Sequence, residues 1–378
     1  MVDYYYIGNY PKARETGWSD ELQGVTHDSE NWFFTQKQKL WKFPVTYDLN
    51  EKISGPDPSR GIQQIDMPQS LIDSDYDHFG DLDFYEGYLF IPVTGKEIKF
   101  EGAIPEIVLG TPGEIVLKKA PPPGIAVFSA DNLEYMAMAT LTMDSFSGAP
   151  HRLEEQKGAG WCAVNPQNGL LCTSNNHISP SEPIRMYEIN MQQLKQKCVI
   201  LTFDSPFYIK DADLNHMQGG VFSSDGTLLY LVNGFCKDFD PDDGGISIFD
   251  VHTGNRLAKS TNGHGPFNYE FHPGLPTYEE PEGITIWDLK DGRAPGVRGQ
   301  LHVIMLDNDP TDDFYFKHYA SYPYVANKNP HCKEVHKVDC QWVNKMRPDN
   351  KVPYTSLSDA LDDGYDGCFY CLKEYHSR

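Results

Sequence analysis

A glycine-led hairpin pattern that occurs five times constrains the fold of this chain more than any other feature. In the clearest copies a glycine opens a short apolar strand, a polar turn follows about seven residues later, and a second apolar strand returns. The copies begin near Glu21, Asp77, Gly158, His216 and Glu280. Repetition at intervals of roughly 55 to 80 residues is typical of β-propeller blades with loop insertions. We therefore expect a mainly β chain in which residues 1–326 form a five-bladed β-propeller.

The last copy supplies only three strands of its own, whereas a propeller blade usually has about four. The segment DYYYIG, residues 3–8, precedes the first copy and is rich in residues that favour strands. We expect this segment to pair with the last blade and close the ring. The alternative is a frayed terminus.

Composition limits the classes of function. The 378 residues carry 54 acidic and 32 basic side chains, a formal charge of −22, which argues against a nucleic-acid partner because phosphate backbones attract clustered cations. No apolar stretch reaches membrane-spanning length, and the first residues lack the layout of a secretory signal. We therefore expect a cytoplasmic protein with reduced thiols and no membrane partner. The sequence gives no support for a nucleotide cofactor, because it lacks the glycine-rich phosphate-binding loops.

Polar residues surround the glycine of each repeat. In a propeller the first strand of every blade lines the central channel, so these side chains are expected to face one another. Converging histidines and carboxylates could bind a metal ion or supply an acid and a base for catalysis. Alternatively, they satisfy backbone groups and ordered water in a wet channel. The residues are Gln23, His27, Asp28, His78, Asp81, Asn165, His216, Gln218, Glu280 and Glu282.

The glycine-led inner strands, such as PEGIT at residues 281–285, resemble those of calcium-dependent lactonase and nucleotidase propellers. The resemblance implies that Glu282 is an ion ligand. It also implies acid–base roles for His78, Asp81 or His216.

A second candidate for calcium is the acidic segment DFDPDDGG, residues 238–245. Asp238, Asp240 and Asp242 alternate there in the way that calcium loops gather oxygen ligands. Phe249 stands where an EF-hand has its last glutamate, so a solvated turn between strands is the alternative.

Residues 327–378 look like a separate module that contains two pairs of potential metal ligands. His336 and Cys340 are separated by three residues, Cys368 and Cys371 by two, and 27 residues lie between the pairs. Such pairs can supply four donors to a tetrahedral zinc ion. Cys332 could replace His336 in this set, and four unrelated buried thiols are the remaining alternative. A redox role for Cys368 and Cys371 is disfavoured, because a redox CxxC normally belongs to a βαβ unit.

The pair spacing and the phrase SLSDALDDGYDGCFYC, residues 356–371, resemble the zinc-binding domain of the Ada DNA-repair family. In that family one cysteine of the first pair also accepts a methyl group from a DNA phosphotriester. His336 occupies the corresponding position here, so the resemblance implies a structural zinc and not methyl transfer. The same phrase predicts one short helix, with Ser356 or Ser358 as its N-cap and Gly364 as its stop.

These patterns leave three functions open. We expect a propeller that binds a small molecule, a sugar or a metal ion at its channel mouth and carries a structural zinc module. One alternative is a metal-dependent hydrolase or lyase that uses the channel residues. The other is a scaffold that binds a protein partner through its rim loops and leaves the channel inert.

Overall fold

Antiparallel β-sheets account for most of the regular structure, which confirms the mainly β class. No helix of the described residues is long and apolar enough to cross a membrane. The computed structural model describes residues 4–12, 17–95, 107–109, 115–117, 120–141, 156–196, 200–234, 244–261, 267–269, 279–289, 291–307, 313–338, 340–347, 350–354 and 356–377.

Five sheets of similar design follow one another along the chain. The first sheet contains β2 (Leu22–His27), β3 (Asn31–Gln36), β4 (Lys39–Pro44) and β5 (Gln63–Asp66). The second contains β6 (Tyr76–Phe79), β7 (Asp83–Tyr85), β8 (Tyr88–Gly95), β11 (Gly124–Ser129) and β12 (Tyr135–Thr140). The third contains β13 (Ala163–Val164), β14 (Leu170–Thr173), β16 (Ile184–Ile189) and β17 (Leu201–Phe207). The fourth contains β19 (Met217–Phe222), β20 (Leu228–Asn233), β21 (Gly245–Asp250) and β22 (Arg256–Lys259). The fifth contains β23 (Glu279–Ile286), β24 (Leu301–Asp307), β25 (Asp313–Ala320) and β1 (Tyr5–Asn9).

Smaller elements lie within and between these sheets. Two short pairings join β9 (Ile107–Leu109) to β10 (Ile115–Leu117) and β15 (His177–Ile178) to β18 (Leu214–Asn215). Two four-residue helices are α1 (Gln69–Ile72) and α2 (Met191–Leu194), and Pro58–Arg60 form a 3-10 turn.

β3 is buried on both faces, and this explains its continuous apolar run. Trp32 and Phe34 of β3 pack with Phe316 of the fifth sheet, whereas Phe33 packs with Phe79 of the second sheet. Successive side chains of a strand point to opposite faces, so a strand covered on both sides needs consecutive apolar residues. All three aromatic residues of this run are fully buried.

β1 pairs antiparallel with β25 and so adds a fourth strand to the fifth sheet. The adjacent tyrosines that precede and begin this strand alternate between two apolar clusters. Tyr4 packs against Tyr230 of the fourth sheet and Tyr6 against Tyr319 of the neighbouring strand, and all four rings belong to one cluster. Tyr5 instead enters an apolar cluster of the C-terminal part of the chain. The first strand is therefore packed against the fourth sheet on one side and the C-terminal part on the other.

One inner strand from each of the five sheets contacts the inner strands of two others. β2 lies against β23, β23 against β19, β19 against β13, β13 against β7, and β7 against β2. A Cβ atom on Gly283 would lie 2.8 Å from the Cα atom of Gly24, and one on Gly160 would lie 2.8 Å from the carbonyl oxygen of Met217. Glycine is therefore required where these strands meet, because their backbones pack directly against one another.

The C-terminal part of the chain forms a separate four-stranded sheet. It contains β26 (Tyr324–Asn327), β27 (Glu334–Lys337), β28 (Lys351–Tyr354) and β29 (Asp366–Gly367), with 3-10 turns at Val343–Lys345 and Lys373–Tyr375. Its first strand begins at Tyr324 and crosses the boundary between residues 326 and 327 that the sequence predicts. The predicted short helix is confirmed as α3 (Leu357–Asp362), where the Ser356 hydroxyl accepts the Asp359 N–H and caps the first turn. Gly364 follows the helix with φ of +82°.

Candidate functional site

Four potential metal ligands meet at the C-terminal sheet, and we call them the metal centre. The side chains of His336, Cys340, Cys368 and Cys371 each offer one ligand atom, and these atoms all lie within 4.8 Å of one another. The first three residues are buried and Cys371 is half-buried. Three thiols and an imidazole at this distance are suited to tetrahedral binding of a metal ion. The metal centre could therefore hold such an ion.

Strand pairing brings the two halves of the metal centre together. β27 carries His336, and β29 runs parallel beside it and leads directly into Cys368. The Cys368 N–H donates to the Val335 carbonyl oxygen at 2.9 Å, and the Lys337 N–H donates to Cys371 Sγ at 3.3 Å. The backbone thus fixes both cysteines of the second pair against the strand that carries the histidine.

The two ring nitrogens of His336 have different neighbours. Nδ1 lies 3.6 Å from Cys340 Sγ, whereas Nε2 lies 3.7 Å from the Glu334 carboxylate. Burial lowers the pKa of His336 to about 4, which keeps the imidazole neutral and able to coordinate a metal. Burial raises the pKa of Cys371 to about 12, so this thiol needs the charge of a metal ion to become a thiolate. Cys332 is exposed and stands outside this group of ligands.

Sequence reasoning missed Glu334 as a partner of the metal centre. A ligating histidine usually donates its second ring N–H to a carboxylate or carbonyl, which orients the ring. Glu334 and His336 are two residues apart in β27, so their side chains share one face of the strand. This alternation was the signal in the sequence that could have identified the carboxylate.

Five of the predicted channel residues gather where the inner strands begin, and we call them the inner-strand cluster: Gln23, His78, Gln218, Glu280 and Glu282. Gln23, Gln218 and Glu282 stand at β-bulges, where the strand register shifts just before a glycine. A bulge changes the direction in which a side chain points, and bulges are frequent next to functional sites. His78 Nε2 lies 2.6 Å from Gln23 Oε1, and Gln218 Nε2 donates to Glu280 at 3.4 Å. These contacts cross from one sheet to the next.

The two glutamates of the inner-strand cluster share a hydrogen bond. Glu282 is only 3% exposed, and burial raises its pKa well above the usual value. The hydrogen bond with Glu280 and the nearby Asp81 carboxyl raise it further. The raised pKa favours the protonated form of Glu282. Burial also lowers the pKa of His78, which favours the neutral imidazole.

Asp81 lies beneath the cluster and binds the backbones of several sheets. Its carboxylate accepts the N–H groups of Val25 at 3.0 Å, Gly220 at 3.2 Å and Ile284 at 3.4 Å, which belong to the first, fourth and fifth sheets. Its own N–H donates to the Gly160 carbonyl oxygen at 2.8 Å. Burial raises the pKa of Asp81, and the three N–H donors oppose this rise. The carboxylate satisfies donors that the edges of the inner strands would otherwise leave unpaired.

The other predicted channel residues take part in turns and packing. His27 stacks on Trp287 with ring centroids 4.2 Å apart, and both its ring nitrogens face backbone carbonyl oxygens. The Asp28 carboxylate accepts N–H groups within the turn between β2 and β3. Asn165 accepts an N–H within its own turn and donates to a turn of the fourth sheet. His216 is exposed and precedes β19 with φ of +54°.

The structure describes one of the two predicted calcium sites. Asp238, Asp240 and Asp242 lie outside the described residues. Glu282 lies within them, but among the described parts of the chain only the metal centre groups three or more His, Cys, Asp or Glu side chains closely enough to hold a metal ion. Calcium binding by Glu282 stays a prediction.

Comparison with known proteins identifies no family. No family model matches the chain, and no curated protein matches it. A structure of the mitotic checkpoint complex is 8% identical over 86% of this chain and 72% of that chain, with a TM-score of 0.32. An auxiliary nutrient binding protein from Bacteroides ovatus is 11% identical over 88% of this chain and 67% of that chain, with a TM-score of 0.38. Similarities this distant carry no argument about function.

Proposed function

We propose that the five similar sheets are the blades of a five-bladed β-propeller that binds a small polar ligand at one mouth of its ring. The order of contacts between the inner strands supports this architecture, because it returns to β2 after five steps. The addition of β1 to the fifth sheet supports closure by strands from both ends of the chain.

The inner-strand cluster is the observation that carries the ligand proposal. Its amides, carboxyls and imidazole come from four of the five sheets, and two of its hydrogen bonds cross sheet boundaries. Polar groups that converge from several elements are a usual feature of a small-molecule site. Donors and acceptors without a dominant charge are suited to a hydroxyl-rich ligand such as a sugar.

A catalytic role has no comparable support. Asp81 is fully buried, and its carboxylate accepts three backbone N–H groups. The His78 imidazole is held by Gln23. We therefore propose binding by this cluster and not hydrolysis.

We also propose that the metal centre holds a structural zinc ion. A set of three thiolates and one histidine is typical of closed zinc sites, which leave no coordination position for a substrate. Elemental analysis of the purified chain is expected to find one zinc ion per molecule. His336→Ala is expected to lower the zinc content, and Cys332→Ser, which changes an exposed thiol beside the centre, is the matched control. Absence of zinc, or equal loss in both variants, would contradict this assignment.

The ligand proposal can be tested by thermal unfolding in the presence of separate monosaccharides and of calcium chloride. A ligand that binds only the folded chain raises its melting temperature. We expect a monosaccharide to do so for the wild type and not for Gln218→Ala. Gln69→Ala, at an exposed position of α1, is the control and should respond like the wild type. A response that Gln218→Ala retains in full, or no response to any sugar, would refute binding at the inner-strand cluster.

A further inference from the structure

A cleft of about 390 Å³ opens beside the metal centre. Its lining includes Trp342, Met346, Phe369 and Tyr370, together with one acidic and one basic residue, Glu334 and Lys345. Phe369 is 49% exposed and Tyr370 is 65% exposed. These two residues fill the positions between Cys368 and Cys371, so the turn that supplies metal ligands also displays the two aromatic rings. Large aromatic side chains held in this way are typical of binding surfaces.

The aromatic rings of the cleft form one connected group. The ring centroids of Trp342 and Tyr370 are 5.7 Å apart, and those of Tyr370 and Phe369 are 5.4 Å apart. Lysines of the same chain already cover two of them: Lys345 Nζ lies 4.3 Å from the Trp342 centroid, and Lys373 Nζ lies 5.3 Å from that of Phe369. The faces of these rings therefore attract cations. Among the described residues no lysine or arginine covers Tyr370.

Charge favours a cationic partner. Residues 324–378 contain eight Lys or Arg and eight Asp or Glu residues, so the whole formal charge of −22 belongs to residues 1–323. The acidic residues 1–323 attract basic partners to the molecule and repel nucleic acid, whereas the balanced residues 324–378 add no net charge of their own. Within the cleft, the Glu334 carboxylate can pair with an incoming cation, and its side chain is 29% exposed.

We propose that this cleft binds a lysine or arginine side chain that a peptide segment of a partner protein presents. The cationic group lies over the open face of Tyr370 and near the edge of Trp342, and it pairs with the Glu334 carboxylate. The neighbouring part of the peptide packs on Phe369 and Met346. The site is separate from the inner-strand cluster, so its test is independent of the ligand proposed there.

Fluorescence anisotropy of a labelled peptide with alternating arginine and glycine tests the proposal on the zinc-loaded full chain. We expect saturable binding that Tyr370→Ser, alone or with Phe369→Ser, weakens by at least about tenfold. Both positions are exposed, so the variants should keep the zinc content and circular dichroism of the wild type. Tyr208→Ser is the matched control, because Tyr208 is an exposed aromatic residue, 40% accessible, on another part of the surface. The same peptide with citrulline in place of arginine is expected not to bind.

Three results would overturn the proposal. Equal binding to the wild type and to Tyr370→Ser would assign the affinity to general attraction by the acidic surface. Tighter binding of an oligothymidine than of the arginine peptide would make the cleft a nucleic-acid site, where bases stack on the aromatic rings. Failure of the arginine peptide to bind at all would remove the cationic side chain as the occupant.

Discussion

Tyr5 connects the strand that completes the fifth sheet to the core of the metal centre. Its ring packs with Cys340, Cys368 and Val343, and its hydroxyl donates to the Val338 carbonyl oxygen at 3.1 Å. The backbone of the same residue pairs with the end of β25. Because one side chain belongs to both structures, we predict that loss of the metal loosens β1 and that loss of the Tyr5 ring weakens metal binding.

The expected magnitudes follow from what Tyr5 contacts. The residue is 5% exposed, and removal of a buried aromatic ring costs about 3 to 5 kcal/mol. Tyr5→Phe removes only the hydrogen bond and should cost about 1 kcal/mol. If a loss of about 3 kcal/mol in Tyr5→Ala falls on the docking of β1, the fraction of molecules in which this strand is detached rises by roughly 100-fold.

Hydrogen exchange measured by mass spectrometry can follow this effect. We expect peptides covering Tyr5–Asn9 to exchange faster after chelation of the metal and in Tyr5→Ala, with a small effect in Tyr5→Phe. Competition with a chromogenic zinc chelator should show weaker metal binding by Tyr5→Ala. Tyr6→Ala is the matched control, because Tyr6 packs on Tyr319 and not on the metal centre. It should loosen β1 and leave the affinity for zinc unchanged.

Two outcomes would refute the coupling. The first is release of β27 and β29 by chelation while the exchange of β1 stays as slow as before. The second is equally tight zinc binding by Tyr5→Ala and Tyr6→Ala. Either result would mean that β1 and the metal centre are stabilised independently.

Three further predictions concern the inner strands. Asp81→Asn replaces one acceptor oxygen by an NH2 group that faces backbone N–H groups. We expect the free energy of unfolding, measured in urea titrations, to fall by about 3 kcal/mol. An equal loss in Asp77→Asn, at a half-buried position, would contradict this. Glu282 has a raised pKa, so the folded state holds its proton more tightly, and stability should fall as the pH rises above about 4.3, the ordinary glutamate value. In Glu282→Gln the free energy of unfolding should change less between about pH 5 and pH 8 than it does in the wild type. If the variant is less stable than the wild type near pH 8, the fold needs the ionised carboxylate. Gly283→Ala places a Cβ atom 2.8 Å from the neighbouring strand and should cost about 2 kcal/mol or more in thermal unfolding, whereas Gly158→Ala, with no atom within 4 Å, should cost little.

Local patterns predict much of this structure. The glycine-led hairpins, the mainly β class and α3 depend on neighbouring residues, and all of them are found. The metal ligands are recognisable because each pair is close in sequence. The parallel pairing of β27 with β29 brings the two pairs of ligands together. The resulting group of four ligand atoms includes His336 and not Cys332.

Long-range contacts decide the rest and leave little trace in the sequence. Gln23 and Glu282 enter the inner-strand cluster through bulges that shift the strand register, and a shift of one residue exchanges the faces of a strand. Asp81 looks like any other channel carboxylate in the sequence. Its burial depends on N–H groups up to 203 residues away, including that of Ile284. His27 likewise depends on a distant residue, because it stacks on Trp287, which directly follows β23.

The pairing of β1 with β25 has a consequence for the order of folding. The hydroxyl of Tyr5 bonds to a carbonyl oxygen 333 residues further along the chain, so β1 is synthesised well before this partner. Until then β1 is an unpaired strand rich in tyrosine, and such strands can pair with other chains. Contacts between residues so far apart in sequence form slowly, so we expect β1 to dock late in folding.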